Sequence, residues 1–189
     1  MLMIDLRGYG ESSDGRFTFG IRERQDVLGA LDYLEERGYL PGKIGVLGLS
    51  LGAASAIGAA ADQADIGAVV TDSGFSDIRP LVYAQWEEES ELPLFFLHAT
   101  RLMGRFMYGI DVLDARPVDE IGKISPRPLL LIHCQLDSIV PVEHQAQLAA
   151  AAPWAETWTV PGCEHTQAYL VDPHTYAERV AEFFHEALK

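Results

Sequence analysis

Short apolar runs alternate with longer amphipathic ones along this chain, the pattern of a parallel sheet with helices on its faces. Residues 2–5 form the first predicted strand, and a Gly-rich loop follows over 8–15. Val27, Ala30, Leu31 and Leu34 then recur at three- and four-residue steps, which predicts a helix over about 21–37 that stops at Gly38. Further strands are predicted over 44–48, 66–72, 128–134 and 157–160. The small-residue run from Ala53 to Ala61 predicts a helix starting at Ser50 and pressed tightly against the sheet. Helices are also predicted near 142–151 and over 173–188, the latter with Tyr176, Val180, Phe183, Phe184 and Ala187 along one face.

Between the third and fourth predicted strands, residues 76–114 differ in character. They are rich in Trp86, Leu92, Phe95, Phe96, Leu102, Met103, Phe106 and Met107 and read as inserted helices, either a lid over an acyl pocket or helices packed on the core. The run Glu87-Glu88-Glu89 within them reads as a solvated face. The expected organisation is a single domain over 1–189 carrying this lid-like insertion.

Composition narrows the function classes. The 189 residues suffice for one core without metal or disulfide support. A formal net charge of -14 repels polyanions and anionic membrane surfaces, so neither nucleic acid nor membrane is an expected partner. The apolar start at Met1 to Ile4 is too short for a secretory h-region, and with no apolar run of spanning length the expected location is cytoplasmic. Cys134 and Cys163 make no Cys-x-x-Cys pair. They would lie close together if the last two strands are neighbours, but free thiols are expected in a reducing compartment. His98, His133, His144, His174 and His185 have no metal-ligand spacing, so no metal and no cofactor is expected.

Chemistry concentrates elsewhere. Gly48-Leu49-Ser50-Leu51-Gly52 sits where a predicted strand meets a predicted helix and fits the Gly-x-Ser-x-Gly nucleophile elbow. A serine on that turn is strained, and Gly48 and Gly52 are expected because strand and helix approach closely there. The turn exposes the Ser50 hydroxyl at the carboxyl edge of the sheet and aims the Leu51 N–H at a bound carbonyl oxygen, as one oxyanion-hole donor. The bland alternative is an ordinary Gly-rich turn. A serine hydroxyl needs a base, and the base needs an orienting carboxylate. Asp137, just after the fourth predicted strand, and His165, after the fifth, follow in the order Ser, Asp, His. All three fall at carboxyl ends of parallel strands, where open α/β sheets place their sites. Asp72, in Asp72-Ser73-Gly74-Phe75, is the second candidate for the acid.

With these motifs the chain resembles an α/β-hydrolase of the bacterial esterase and peptidase-like serine hydrolases. Asp5-Leu6-Arg7-Gly8-Tyr9-Gly10-Glu11-Ser12 is similar to the family's Asp-x-Arg-Gly-x-Gly-x-Ser segment after the fourth of eight strands. Ile124 to Pro141, with Pro-Arg-Pro-Leu-Leu-Leu-Ile-His-Cys-x-x-Asp-x-x-Val-Pro at its core, is similar to its acid-bearing strand and loop, with Cys134 where glycine is usual. The resemblance implies a mostly parallel sheet of about five strands that lacks the family's first three. It also implies the loss of the His-Gly loop that supplies the second oxyanion-hole donor. Two readings follow. One is a carboxylesterase-like serine hydrolase acting on small to medium acyl esters, and the other is a noncatalytic remnant serving as a binding or assembly module. The uncovered sheet edge predicts a homo-oligomer, most simply a dimer, or a missing N-terminal segment as partner. If residues 2–5 slide beside 44–48, the N–H of Arg7 or Gly8 becomes a surrogate second donor.

Overall fold

A computed structural model describes residues 1–189, the side chain of Tyr108 apart. Four parallel strands, β1 (Ile44–Leu49), β2 (Ile66–Asp72), β3 (Leu129–Cys134) and β4 (Glu156–Val160), lie in the order β1-β2-β3-β4. Each strand is joined to the next by helical crossovers, as parallel neighbours require. The helices are α1 (Arg24–Glu35), α2 (Leu51–Asp62), α3 (Ile78–Glu89), α4 (Leu94–Tyr108), α5 (Glu143–Ala151), the short α6 (Ala168–Val171) and α7 (Pro173–Ala187).

Alternation along the central strands explains the layers. Val69, Leu129 and Leu131 face Val27 and Leu31 of α1, Ala56, Ile57 and Ala60 of α2, and Leu148 of α5. Val70, Leu130 and Ile132 point the other way, onto Tyr176 and Phe183 of α7. Both faces are therefore covered over β2 and β3, whose side chains are almost wholly buried. A third cluster, Ala54, Phe75, Ile78, Leu113 and Val140, anchors the insertion to the carboxyl end of the sheet. Only Leu97 of α4 is buried among the residues described there, while Phe95, Leu102, Met103 and Phe106 are exposed. The acidic run Glu87-Glu88-Glu89 ends α3 and faces solvent.

α1 starts later than its apolar spacing predicts because the turn before it has its own carboxylate cap. The buried Glu23 accepts hydrogen bonds from Thr18 N (2.7 Å), Thr18 Oγ1 (2.6 Å) and Gly20 N (2.9 Å). Four backbone and hydroxyl donors are thus consumed in fixing this corner once Arg22 N, which bonds Thr18 Oγ1 at 2.9 Å, is included.

Two expectations are overturned. Residues 2–5 form no strand: they run along the surface beside α1, where Leu2 and Ile4 border a cavity of about 460 Å³ with Gly29, Ala30 and Tyr33. An extended segment becomes a strand only when a neighbour takes its ladder bonds, and here the following turn binds α1 instead. Arg7 holds Asp26 through its guanidinium (2.6 Å from NH2 to Oδ1) and its backbone N–H (3.0 Å). β1 is consequently an edge strand, with Leu47 37% and Leu49 43% exposed. The free-thiol expectation also fails, because Cys134 and Cys163 form a disulfide across 29 residues. β3 and β4 are neighbours with Cys134 opposite Val160, and the turn beyond Val160 folds Cys163 back to a Cα–Cα distance of 5.1 Å. That lies within bridging range.

Candidate active site

The site is built at the carboxyl ends of β1, β3 and β4, with the end of β2 between the first two. At the end of β1 the chain turns sharply into α2, and Ser50 occupies the corner with φ 50° and ψ -111°. A Cβ on Gly48 would stand 2.1 Å from the Gly52 carbonyl oxygen, so this position admits no side chain. Gly52 differs from expectation: a Cβ there meets no other part of the fold within 4 Å. Close approach explains Gly48 alone, since the side of α2 at Gly52 borders open space instead of a further strand. Ser50 N donates to Asp72 O (2.8 Å), which ties the corner to the end of β2.

Beyond β3 the chain makes a tight turn around the Asp137 carboxylate. Oδ1 accepts from Ile139 N (3.1 Å) and Val140 N (2.8 Å), leaving Oδ2 to face His165. The buried His133 closes the other side by donating from Nε2 to Val140 O (2.8 Å). Burial acts to raise the Asp137 pKa, but hydrogen bonds from His165 and Val140 together with the charges of His165 and His133 outweigh it, so the carboxyl lies below its ordinary range. Asp137 is therefore ionised at neutral pH.

His165 lies between the other two residues. Its Nδ1 is 2.7 Å from Asp137 Oδ2 and its Nε2 is 2.8 Å from Ser50 Oγ. An ionised carboxylate only accepts, so Nδ1 carries the proton and Nε2 is the acceptor for the Ser50 hydroxyl. The loops bearing Asp137 and His165 are tied together by the disulfide, by Leu136 N to Cys163 O (3.1 Å), and by Ser138 Oγ to the Glu164 carboxylate (3.0 Å). The arrangement can move a proton from Ser50 to an imidazole whose opposite nitrogen is held by a negative charge. Leu51 opens α2, so its N–H belongs to the helix's unpaired N-terminal set.

Other candidates are placed elsewhere. Asp72 does not reach His165; its Oδ2 accepts from Tyr176 OH (3.0 Å) and its Oδ1 from Ser73 Oγ (3.0 Å). Burial raises its pKa above the ordinary value against those two hydrogen bonds. Arg7 and Gly8 are not surrogate oxyanion donors: Arg7 N bonds Asp26, and Gly8 N bonds Ser13 O (3.1 Å) inside a turn where Gly8 has φ 76°. His144 is buried with Nδ1 2.7 Å from Ser76 Oγ, and its pKa is lowered by burial and by His133. No helix among the described residues is long and apolar enough to cross a membrane. The spacing of motifs gives no sign of Ser73 and Thr166, which follow Asp72 and His165 in left-handed conformations (φ 53° and 58°) and are joined by a hydrogen bond from Thr166 N to Ser73 Oγ (3.1 Å), because nothing in a serine or threonine codes for such a backbone.

A model of the prolyl oligopeptidase family matches residues 1–189. Among curated relatives, the uncharacterized protein YqkD of Bacillus subtilis is 26% identical over 187 residues, covering 97% of this chain and 61% of its own length. Protein bem46 of Schizosaccharomyces pombe is 28% identical, covering 98% of this chain and 58% of its own. The chain thus spans about three fifths of the length of these curated relatives. Among solved structures, the Pyrococcus furiosus esterase Pf2001 superposes with a TM-score of 0.73 at 24% identity, covering 98% of this chain and 70% of that one. The α/β hydrolase GrgF of Penicillium sp. sh18 gives 0.70 at 18% identity, with 97% and 78% covered. At these identities the likeness is one of fold, and the fold is that of an α/β-hydrolase whose sheet lacks strands on the β1 side.

Proposed function

The chain belongs to the prolyl oligopeptidase family, and from that premise we propose that it is a serine hydrolase that cleaves carboxylic esters of small to medium acyl groups. The observation that carries the reading is the unbroken hydrogen-bonded line from Ser50 through His165 to Asp137, at 2.8 and 2.7 Å. Ser50 attacks the ester carbonyl as His165 Nε2 takes its proton. Asp137 holds the imidazole in the tautomer this requires and balances the imidazolium that forms. Leu51 N–H stabilises the tetrahedral oxyanion, and collapse sends the proton from Nε2 to the departing alcohol. Water activated by the same nitrogen then releases the acyl group from Ser50.

Short, uncharged acyl groups suit a chain of net charge -14 better than anionic ones. A fluorophosphonate probe tests the reading directly: folded protein is expected to be labelled at Ser50, and p-nitrophenyl butyrate is expected to be hydrolysed. Folded protein that takes no label refutes it. The second reading, a noncatalytic binding or assembly module, is favoured by one feature, the open edge of β1 with Leu47 and Leu49 exposed.

A further inference from the structure

Among the described residues, four that are not glycine have positive φ: Phe19, Ser50, Ser73 and Thr166. Three of them gather at the site. Ser50 holds the strained corner after β1, Ser73 follows the last residue of β2, and Thr166 follows His165. Their φ values are 50°, 53° and 58°. A left-handed threonine is costly because its branched Cβ crowds the backbone, and such conformations persist only where surrounding bonds over-determine them. Those bonds are present. Ser73 Oγ accepts from Thr166 N (3.1 Å) and donates to Asp72 Oδ1 (3.0 Å), while Tyr176 OH of α7 donates to Asp72 Oδ2 (3.0 Å). Ser73 N is itself fixed by Ile132 O (3.0 Å) on β3, and Asp72 O receives Ser50 N (2.8 Å). Asp72 and Ser73 are both wholly buried.

The consequence is geometric. His165 and Ser50 lie on separate loops, and the hydrogen bond between them spans 115 residues of chain. Both ends of that bond hang on one dipeptide: the Ser50 backbone on the Asp72 carbonyl, and the backbone just after His165 on the Ser73 hydroxyl. Asp137 fixes the imidazole ring from the opposite side but does not fix how far the His165 loop stands from β2. We propose that Ser73, oriented by Asp72 and Tyr176, is a positioning residue that sets the distance from His165 to Ser50. This rests on the hydrolase reading and extends it. Asp72 then supports Ser73 and is not a second catalytic acid.

A structural role and a positioning role separate through two substitutions at one residue. Ser73→Ala removes the hydroxyl and keeps the strain at φ 53°; Ser73→Gly removes the hydroxyl and relieves the strain. With positioning, both variants lower kcat on p-nitrophenyl butyrate and the rate of fluorophosphonate labelling by roughly 10- to 100-fold, the effect of about an ångström of misplacement. KM stays within about two-fold and Ser73→Gly melts no lower than Ser73→Ala. Tyr176→Phe, which keeps the ring packed on Trp158 and Tyr169, lowers both rates by a few-fold. If activity follows melting temperature, so that Ser73→Gly works as well as wild type, the residue serves backbone stability only and the proposal falls. Wild type and Ser73→Ala labelled at equal rates overturn the positioning role alone. A wild type that takes no label removes the hydrolase reading, and the positioning role with it.

Discussion

The carboxyl end of β1 and its open side behave as opposites. At its carboxyl end the chain is fixed from every side: Gly48 against Gly52, Ser50 N on Asp72 O, and the Ser50 hydroxyl on His165. Along its open side and at residues 1–5, apolar side chains stand in the open, with Met1, Met3 and Leu47 among them. Both regions carry the same sequence signal of short apolar runs. The difference teaches that an apolar run becomes structure only where neighbours satisfy its backbone, and that this chain spends its hydrogen bonds at the site end.

Breaking the ordered end is expected to give the largest effects. Ser50→Ala should lower ester turnover by at least roughly 10⁴-fold with the circular dichroism spectrum and melting temperature little changed, because the hydroxyl is partly exposed and packs against little. His165→Ala should approach the same loss, and Asp137→Asn should cost about 10⁴-fold by releasing the imidazole tautomer. Residual wild-type rates in the Ser50 variant would remove the assignment.

The disulfide comes next. Cys134 and Cys163 enclose 29 residues of separation, and the loop-entropy relation gives about 3 to 4 kcal/mol for a closure of that length. Denaturant unfolding of Cys134→Ala/Cys163→Ala is expected to show that loss. Because the bridge joins the loops bearing Asp137 and His165, activity should weaken before the sheet melts.

Acid sharpens the same end. The Asp137 pKa is depressed in the folded protein, so its stabilisation is present above the unfolded carboxylate value near 4 and is lost as pH falls through the lower folded value. Asp137→Asn should therefore flatten the acid side of the stability curve below about pH 4. An unchanged acid limb would show that the carboxylate contributes nothing to folding.

The open edge yields the smaller tests. Exposed Leu47 and Leu49 and the free ladder positions of β1 predict self-association, most simply a dimer, measurable by sedimentation and weakened by Leu47→Lys. A monomer across a wide concentration range would reject it. Asp26→Asn removes the clamp on Arg7, a paired, half-screened contact worth about 1 kcal/mol. Amide exchange over residues 2–13 is expected to accelerate while β2 and β3 stay protected.

The sequence was enough to define β2 at its full length, Ile66–Asp72, and α7 from Pro173, because β2 is a short apolar run buried on both faces and bounded by polar residues, and α7 carries one apolar stripe at helical period. The elbow at Ser50 and the placing of Asp137 and His165 after later strands were equally legible, since glycine spacing and strand ends mark them. Tertiary structure alone decided three matters. Residues 2–5 have strand composition but no partner, and the ladder bonds that make a strand belong to its neighbour. Cys134 and Cys163 became a bridge because β3 and β4 are adjacent, which spacing along the chain does not encode. Ser73 and Thr166 took left-handed conformations because long-range hydrogen bonds outweigh a local preference against them, and local preference is all that a linear reading weighs.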